Sequence, residues 1–124
     1  VRRLCPHCSR PLTEADPAQH ALLKEALAHW NARNPQTPID LNVTQLREPV
    51  GCDACLHTGY LGRIAVYEMF DADETIRQQI LDQITETQMI QDLRQRHVRS
   101  MTQDGLLKVC TGITTVSEVM TVGQ

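Results

Sequence analysis

Four of the five cysteines form two pairs whose spacing is typical of a metal site. Cys5 and Cys8 make one C-x-x-C motif, and Cys52 and Cys55 make a second, with 43 residues between the pairs. Two intervening residues allow both sulfurs of a pair to point to one place, and two such loops supply a tetrahedral set of thiolates for Zn²⁺. The separation is longer than in most zinc motifs, so the insert must return its ends to one place. The sequence therefore predicts one structural zinc per chain with these four ligands.

Other chemistries that use these cysteines are weaker candidates. Four thiolates also suit iron, and ligand type alone does not separate a rubredoxin-like iron site from a zinc site. Disulfides fit poorly with a chain that shows no export signal, because a reducing compartment keeps thiols free. The C-P-H-C sequence at Cys5 has the form of a redox centre, but that chemistry requires a strand and a helix around the motif. Covalent haem attachment requires His after the second cysteine, where Ser9 and Leu56 stand.

His7 and His57 lie beside the two motifs and are candidates to replace a cysteine ligand. Four thiolates already fill a tetrahedral shell, so we expect both imidazoles to lie outside the ligand set. A complete thiolate shell leaves no position for an activated water, which predicts a structural metal rather than a catalytic one. Cys110 has no partner at ligand spacing and falls on the apolar side of an expected helix, where we expect a core residue.

The segments that must position the cysteines predict an α+β, mostly helical fold. A helix is expected to begin within residues 13–17, where acidic residues and a proline fit a first turn, and to end at Asn34. Residues 35–49 predict short strands or an irregular arm that returns the second cysteine pair to the first. Residues 64–69 have the β-branched and aromatic composition of a strand. The apolar stripe of the first helix comprises Leu22, Leu23, Ala26, Leu27 and Trp30.

Helices are also predicted after residue 70, because four polar residues are each followed three positions later by Glu or Gln. This is the spacing of a capping box, in which two side chains satisfy free backbone N–H groups at a helix start. The pairs are Asp71 and Glu74, Thr85 and Gln88, Ser100 and Gln103, and Thr115 and Glu118. Ile76, Ile80 and Ile84 lie at helical spacing on one expected face. Gly105 indicates close helix packing, since glycine costs about 1 kcal/mol relative to alanine inside a helix.

These elements predict two units. A tetracysteine zinc-binding subdomain with an inserted helix is expected over residues 1–70. A C-terminal helical subdomain, in the form of a small bundle, is expected over residues 71–124. The chain lacks an initiator Met and reaches a motif within its first residues, from which we expect it to be a piece of a longer protein.

Charge and composition exclude several function classes. The formal net charge is −3 and few residues are aromatic (one Trp, two Tyr and one Phe), which argues against phosphate-binding surfaces and base-stacking platforms. The sequence shows no apolar run long enough to span a bilayer and no signal peptide. It contains no phosphate-binding loop, zinc-protease helix or nucleophile elbow. We therefore expect this chain to catalyse nothing by itself.

Several motifs together resemble the C-terminal part of the type II secretion and type IV pilus assembly ATPases. The resemblance begins with R-L-C-P-H-C at residues 3–8 and continues with P-V-G-C-D-A-C at residues 49–55 and T-G-Y at residues 58–60. The tail, with M-T-Q-D-G at residues 101–105 and G-I-T-T at residues 112–115, is similar to the closing helices of the family. The resemblance covers nearly the whole chain.

The resemblance implies a function that the residues alone do not show. Members of this family are hexameric bacterial ATPases on the cytoplasmic face of the inner membrane, and they drive a platform protein that polymerises pilin or pseudopilin. Their site for ATP and Mg²⁺ lies upstream of a four-cysteine metal-binding subdomain. The chain is then a non-catalytic module whose expected partners are neighbouring subunits of a homohexamer and the platform protein, without nucleic acid. Of the family's functional residues, those that transfer are Cys5, Cys8, Cys52 and Cys55.

The alternative interpretation is a stand-alone, zinc-stabilised module that acts as an adaptor or binds nucleic acid. The acidic balance and the few aromatic residues argue against nucleic acid. The sequence does not distinguish a secretion system from a pilus or DNA-uptake system. It also assigns no role to the insert at residues 16–44.

Overall fold

The computed structural model describes residues 1–14, 16–36, 38–42 and 45–122, and confirms a mostly helical α+β fold. The strands are β1 (Arg2–Leu4), β2 (Arg10–Pro11), β3 (Arg47–Glu48) and β4 (Tyr60–Arg63). The helices are α1 (Pro17–Arg33), α2 (Glu74–Leu81), α3 (Glu86–Gln95), α4 (Met101–Cys110) and α5 (Val116–Met120), and a 3₁₀ turn covers Asp53–Cys55. Within these residues, no helix combines the length and apolar character that a membrane span requires.

Two small antiparallel pairings bring the cysteine motifs together. β1 pairs with β4, with Leu4 opposite Tyr60, and β2 pairs with β3, with Arg10 opposite Glu48. The first motif lies between β1 and β2, and the second lies between β3 and β4. The two ladders therefore place both motifs at the same end of the strands. The described part of the arm at residues 35–49 returns the second motif to the first, as predicted.

The main hydrophobic core lies between α1, α4 and α5. Leu23 and Val119 are each 1% exposed, and a Cβ atom at Gly105 would lie 2.6 Å from Cγ1 of Val119, which confirms the close packing expected there. The core draws side chains from both sides of residue 70, and the division into two units stays a prediction. Its buried members are Leu23, Ala26, Leu27, Leu46, Leu106, Leu107, Val109, Cys110, Val116 and Val119.

Two of the predicted capping boxes form in full. Thr85 and Gln88 satisfy each other's backbone N–H groups at the start of α3, and Ser100 and Gln103 do the same at the start of α4. α1 is followed by Asn34, as predicted. The position expected for its start is confirmed at Pro17, although residue 15 of that segment lies outside the described residues.

The box predicted for Asp71 and Glu74 is wrong. α2 begins at Glu74, and its N-cap is Asp73, whose carboxylate accepts a hydrogen bond from the Ile76 N–H at 3.0 Å. Two aspartates compete for the same helix start. The one immediately before the first helical residue reaches the free N–H groups, which the side chain of Asp71 does not.

The fourth predicted box, at Thr115 and Glu118, forms only in part. Thr115 accepts a hydrogen bond from the Glu118 N–H at the start of α5. The Glu118 carboxylate does not return to the cap. It accepts hydrogen bonds from the backbone N–H of Arg2 at 3.1 Å and from the Arg2 guanidinium at 2.5 Å. A long-range partner therefore replaces the local one and fastens β1 to α5.

The strand predicted for residues 64–69 is also wrong. β4 ends at Arg63, and residues 64–73 continue without a regular element. The Ile64 N–H still donates to the Val1 carbonyl, but the Tyr67 N–H donates to the Asp104 carboxylate instead of a strand. A strand requires a ladder partner, and none lies beside this segment in the described part of the chain.

Two predicted apolar faces contain exposed members. On α2, Ile76 is 1% exposed, whereas Ile80 is 61% exposed and does not join the core. On α1, Leu22 is 37% exposed and lies at the edge of the predicted stripe. Helical spacing placed these residues on one side, but the neighbouring elements cover only part of that side.

Candidate metal centre

The loop between β1 and β2 positions Cys5 and Cys8. The Cys5 N–H donates to the Gly59 carbonyl at 2.9 Å, and the Ser9 N–H donates back to the Cys5 carbonyl at 2.9 Å. The second bond closes a turn over residues 6–8, which directs both sulfurs to one side. Cys5 is fully buried and Cys8 is half-buried.

The second loop turns tightly around Cys52 and Cys55. Gly51 has a φ of +116°, and a Cβ atom there would lie 2.8 Å from the His57 carbonyl oxygen, so glycine is required. The Cys52 carbonyl accepts hydrogen bonds from the N–H groups of Cys55 and His57. Leu56 and His57 both adopt left-handed backbone conformations, with φ of 51° and 61°. This conformation completes the turn that places the two sulfurs together.

The four sulfur atoms form one cluster. The Sγ atoms of Cys5, Cys8, Cys52 and Cys55 all lie within 4.8 Å of one another. The Cys5–Cys52 distance is 3.9 Å, and the Cys8–Cys55 and Cys52–Cys55 distances are 3.8 Å. A tetrahedral Zn²⁺ with bonds of about 2.3 Å holds its sulfurs roughly 3.8 Å apart. All four thiols are free rather than joined in disulfides. The cluster therefore fits a four-coordinate metal ion without rearrangement.

Backbone N–H groups point at the sulfurs and favour thiolates. The Gly51 N–H donates to Cys8 Sγ, and the N–H groups of Cys52 and Gly59 donate to Cys55 Sγ, each at 3.2 Å. Burial raises the pKa of the Cys55 thiol, but these two backbone donors and the neighbouring thiols outweigh burial and lower that pKa to about 6. Burial raises the pKa of Cys8 to about 11, against the opposing effect of the Gly51 donor. The Cys55 thiolate is thus already favoured at neutral pH, while Cys8 needs a nearby cation to lose its proton.

The remaining candidate ligands lie outside this cluster. His57 is exposed and its Nε2 lies 3.1 Å from Oδ1 of Asp53. Neither His7 nor His57 is in the metal-binding group found among the described residues, which contains cysteines only. Cys110 is 1% exposed in the core between the helices, and burial raises the pKa of its thiol to about 11. Cys110 is therefore a core residue, as predicted.

Two residues that matter here were not singled out from the sequence. The Gly59 N–H donates to Cys55 Sγ at 3.2 Å, and the Gly59 carbonyl accepts a hydrogen bond from the Cys5 N–H at 2.9 Å, so this residue joins the two cysteine loops. Asp104 is 4% exposed and forms ion pairs with Lys108 and Arg99. The spacing of Asp104 and Lys108, four residues apart on one helix, was the available signal, but this spacing is common on exposed helix surfaces.

Comparison with known proteins identifies the family. The family model described as "Type II/IV secretion system protein" matches residues 1–121. The chain belongs to this family. The match confirms the resemblance found in the sequence, and the cysteine cluster lies entirely inside the matched region.

Relatives in this family include both secretion and pilus proteins. The chain is 36% identical to the type II secretion system protein E of Aeromonas hydrophila, over 98% of the chain and 21% of the relative. It is 34% identical to the type II secretion system ATPase E of Vibrio cholerae, over 98% and 21%. It is 30% identical to the type IV pilus assembly ATPase TfpB of Acinetobacter baylyi, over 98% and 19%. The chain therefore spans about a fifth of the length of these three relatives.

Proposed function

We propose that this chain is a non-catalytic, zinc-binding C-terminal module of a motor ATPase that powers protein secretion or pilin polymerisation. The observation that carries the proposal is a thiol cluster with tetrahedral spacing inside a chain that matches the secretion family over residues 1–121. In the proposed motor, ATP and Mg²⁺ bind a part of the protein outside this chain. The module works at the cytoplasmic face of the inner membrane, in contact with neighbouring subunits of a hexamer and with the platform protein.

The metal's role in this module is structural. Cys5, Cys8, Cys52 and Cys55 would hold the zinc. When bound, it would cross-link the two loops. Four thiolates complete the tetrahedral shell and leave no position for a reacting water. The chain's own N–H groups, from Gly51 and its neighbours, donate to the sulfurs and offset their negative charge. The cross-link therefore sets the shape of the surface and performs no reaction.

The loops are fastened to the C-terminal helices, which allows the module to move as a unit. The Leu4 N–H donates to the Ile113 carbonyl at 2.8 Å, and the buried Thr114 hydroxyl donates to the Arg2 carbonyl at 2.8 Å. The Tyr60 hydroxyl lies 3.0 Å from the Thr115 hydroxyl. These bonds join β1 and β4 to the turn between α4 and α5. A force applied at the metal loops is thus passed to the helices through several hydrogen bonds.

Metal content tests the first half of the proposal. Purified protein should contain one zinc per chain by elemental analysis and should be colourless, because thiolate-bound iron absorbs visible light and zinc does not. Cys52→Ser should lose the metal, whereas Cys110→Ala should keep it. If elemental analysis finds iron instead, the proposed structural metal is iron rather than zinc. Protein without metal whose four thiols are oxidised would contradict the metal centre altogether.

Activity tests the second half. The isolated chain should hydrolyse no ATP above background, because it contains no loop that binds phosphates. In a full-length family member, the serine variant at the position of Cys52 should impair secretion or pilus assembly while ATP binding remains. Secretion or assembly at the normal level, with the metal gone, would show that the metal loops do not serve the motor.

A further inference from the structure

The two cysteine loops differ in how firmly their own backbones hold them. The second loop, residues 52–58, contains four backbone hydrogen bonds, and the Cys52 carbonyl accepts two of them. The first loop, residues 5–9, contains one, from the Ser9 N–H to the Cys5 carbonyl at 2.9 Å. Both loops lie wholly within the described residues. The first loop therefore depends more than the second on contacts from outside itself.

Arg47, the first residue of β3, supplies such a contact. Its Nε donates a hydrogen bond to Ser9 Oγ at 3.0 Å, and one of its terminal nitrogens donates to the Ser9 carbonyl. A guanidinium is planar and presents its donors in a rigid fork, so two bonds to one residue fix that residue's orientation as well as its position. The N–H, carbonyl and hydroxyl of Ser9 are thus all engaged. Arg47 therefore restrains the chain immediately after Cys8.

The Arg47 side chain is itself held in place. It is half-buried, and the pairing of β2 with β3 sets its backbone opposite Pro11. The turn after α4 lies against its aliphatic stem, since a Cβ atom at Gly112 would lie 3.0 Å from Cδ of Arg47. Arg47 thus contacts the first cysteine loop through its guanidinium and the helical turn along its stem. A side chain restrained in this way loses less freedom when it orients its partner.

Arg10, on the same two-stranded ladder, provides a contrast. Its Nε donates to the Glu48 carboxylate at 2.5 Å, and its side chain is 67% exposed. Within the described residues, this side chain makes no hydrogen bond to either cysteine loop. Arg47, in the same part of the chain, has no carboxylate partner, and its donors go to Ser9. One arginine joins the two strands, whereas the other holds the first cysteine loop.

We propose that Arg47 is a positioning residue for the metal centre, which holds Ser9 so that the Cys8 sulfur keeps its place in the thiol cluster. This inference rests on the metal-binding function proposed above. Cys8 directly precedes Ser9, and its Sγ lies 3.8 Å from Cys55 Sγ, the separation that a tetrahedral ion requires. Residues that orient metal ligands strengthen metal binding without touching the ion. Arg47 is then a determinant of metal affinity that lies outside both C-x-x-C motifs.

The zinc affinity of the 124-residue chain, measured by competition with a chromophoric chelator, tests the proposal. Arg47→Met keeps an unbranched stem beside Gly112 but removes the guanidinium, and we expect about tenfold weaker binding, the lower end of the range for groups that orient metal ligands. Arg47→Lys should not restore the parent affinity, because an ammonium does not reproduce the planar fork on Ser9. Arg10→Met, the same truncation on the same ladder, should leave the affinity unchanged.

Amide hydrogen exchange of the zinc-loaded proteins separates positioning from a general loss of stability. In Arg47→Met, the Ser9 N–H should exchange faster than in the parent, because the residue that holds it has lost its own anchor. The His57 N–H, which is bonded within the second loop, should keep the parent rate. General destabilisation would accelerate both amides, and that result would overturn a positioning role.

The affinities offer further ways to overturn the proposal. Parent affinity in Arg47→Met would show that the bonds to Ser9 do not serve the metal, and full rescue by Arg47→Lys would show that charge acts rather than the fork. Equal losses in Arg47→Met and Arg10→Met would assign the effect to the ladder. In each of these cases the parent still holds zinc, so the proposed function stands. A parent chain that binds no metal would contradict the metal centre itself, and this inference with it.

Discussion

The region around the cysteine cluster, called here the metal-centred region, and the helical core differ in how much apolar side chain they bury. The metal-centred region, residues 1–12 and 45–63, has strands of two to four residues. Its fully buried apolar side chains are Leu4 and Leu46, together with two of the cysteines. The helical core, α1 with α4 and α5, buries most of the remaining large apolar side chains. With the metal proposed above, the first region would depend on a bound ion, whereas the helical core depends on packing.

The difference explains why the cysteines are needed where they are. A two-stranded ladder is marginally stable in water, and small units with little core are usually stabilised by metals or disulfides. Two such ladders meet at the thiol cluster, so one metal ion bound there, as proposed above, would fix both. The helices need no such cross-link, because apolar burial stabilises them at roughly 25 cal/mol per Å². The sequence places its four paired cysteines in the part of the chain that cannot be stabilised by a core.

Removal of the metal should give the largest effect and should separate the two regions. Structural zinc contributes about 10 to 16 kcal/mol of apparent binding energy in small zinc peptides, which is comparable to the whole stability of a domain. After chelation, we expect amide hydrogen exchange to lose protection in residues 1–12 and 45–63. Protection in α1 and α4 should persist.

A uniform loss of protection would contradict this comparison. It would show that the hydrogen bonds from Leu4 and Arg2 to the α4–α5 turn, together with Leu46 in the core, make one cooperative unit. Full retention in both regions would contradict a stabilising metal. Addition of zinc after chelation should restore the original exchange pattern, which controls for damage by the chelator.

The candidate site was predictable from the sequence because its signal is local. The two C-x-x-C motifs identify the four candidate ligands directly, and the only further requirement is a fold in which the two motifs meet. The glycine at residue 51 follows the same local logic, since the tight turn beside the second cysteine pair takes a positive φ there. The capping boxes at Thr85 and Ser100 were predictable too, because each involves residues three positions apart. The mostly helical fold class follows from these helix N-terminal capping boxes and from the helical spacing of the apolar residues in α1.

The predictions that were wrong share a different cause: their outcome depends on residues far away in the sequence. The carboxylate of Glu118 fits a local box but binds Arg2, which is 116 residues away. Residues 64–69 have the composition of a strand, yet a strand exists only where another segment supplies the ladder. Ile80 has the right spacing for a core face, but no element in the described part of the chain covers it. Local sequence patterns therefore predicted the helices and the candidate site. The contacts between secondary-structure elements became visible only in the structure.

Truncation of an apolar side chain should have the next largest effect and should depend on the region. Leu23 is 1% exposed at the centre of the helical core, and we expect Leu23→Ala to destabilise the protein by about 2 to 5 kcal/mol. Ile80, 61% exposed on α2, is the matched control, and Ile80→Ala should change stability by less than about 0.5 kcal/mol. Urea unfolding of the zinc-loaded protein measures both. Equal losses would show that α2 belongs to the core.

Gly105 tests packing within the helical core at smaller magnitude. Gly105→Ala gains about 1 kcal/mol in helix propensity, but its Cβ would lie 2.6 Å from Cγ1 of Val119, and such overpacking costs about 1 to 3 kcal/mol. We expect net destabilisation of up to about 2 kcal/mol. In a Val119→Ala background the clash is absent, so the same change should become neutral or stabilising. Destabilisation of equal size in both backgrounds would show that the two helices do not approach so closely in solution.

The smallest expected effect lies at the junction of the two regions and depends on pH. The hydrogen bond from the Arg2 guanidinium is the largest influence on the Glu118 carboxyl and lowers its pKa, with help from the Arg2 backbone N–H. A carboxyl whose pKa is lower in the folded state binds fewer protons there than in the unfolded chain. Its stabilising contribution is therefore complete above the unfolded pKa of roughly 4.3 and is lost as the pH falls through the folded value.

Glu118→Gln should therefore lower the unfolding midpoint near pH 7, and the difference from the parent protein should shrink below about pH 4, because the protonated acid resembles the amide. Zinc loss in acid affects both proteins, so it cancels in the difference. Glu74→Gln is the control, since the Glu74 side chain is 89% exposed and its pair with Arg77 is 3.7 Å long. A gap that stays constant from pH 7 to pH 3 would mean that charge plays no part in joining β1 to α5. The two regions would then be held together by the neutral hydrogen bonds from Leu4 and Thr114, and the metal loops would keep their attachment to the helices in acid.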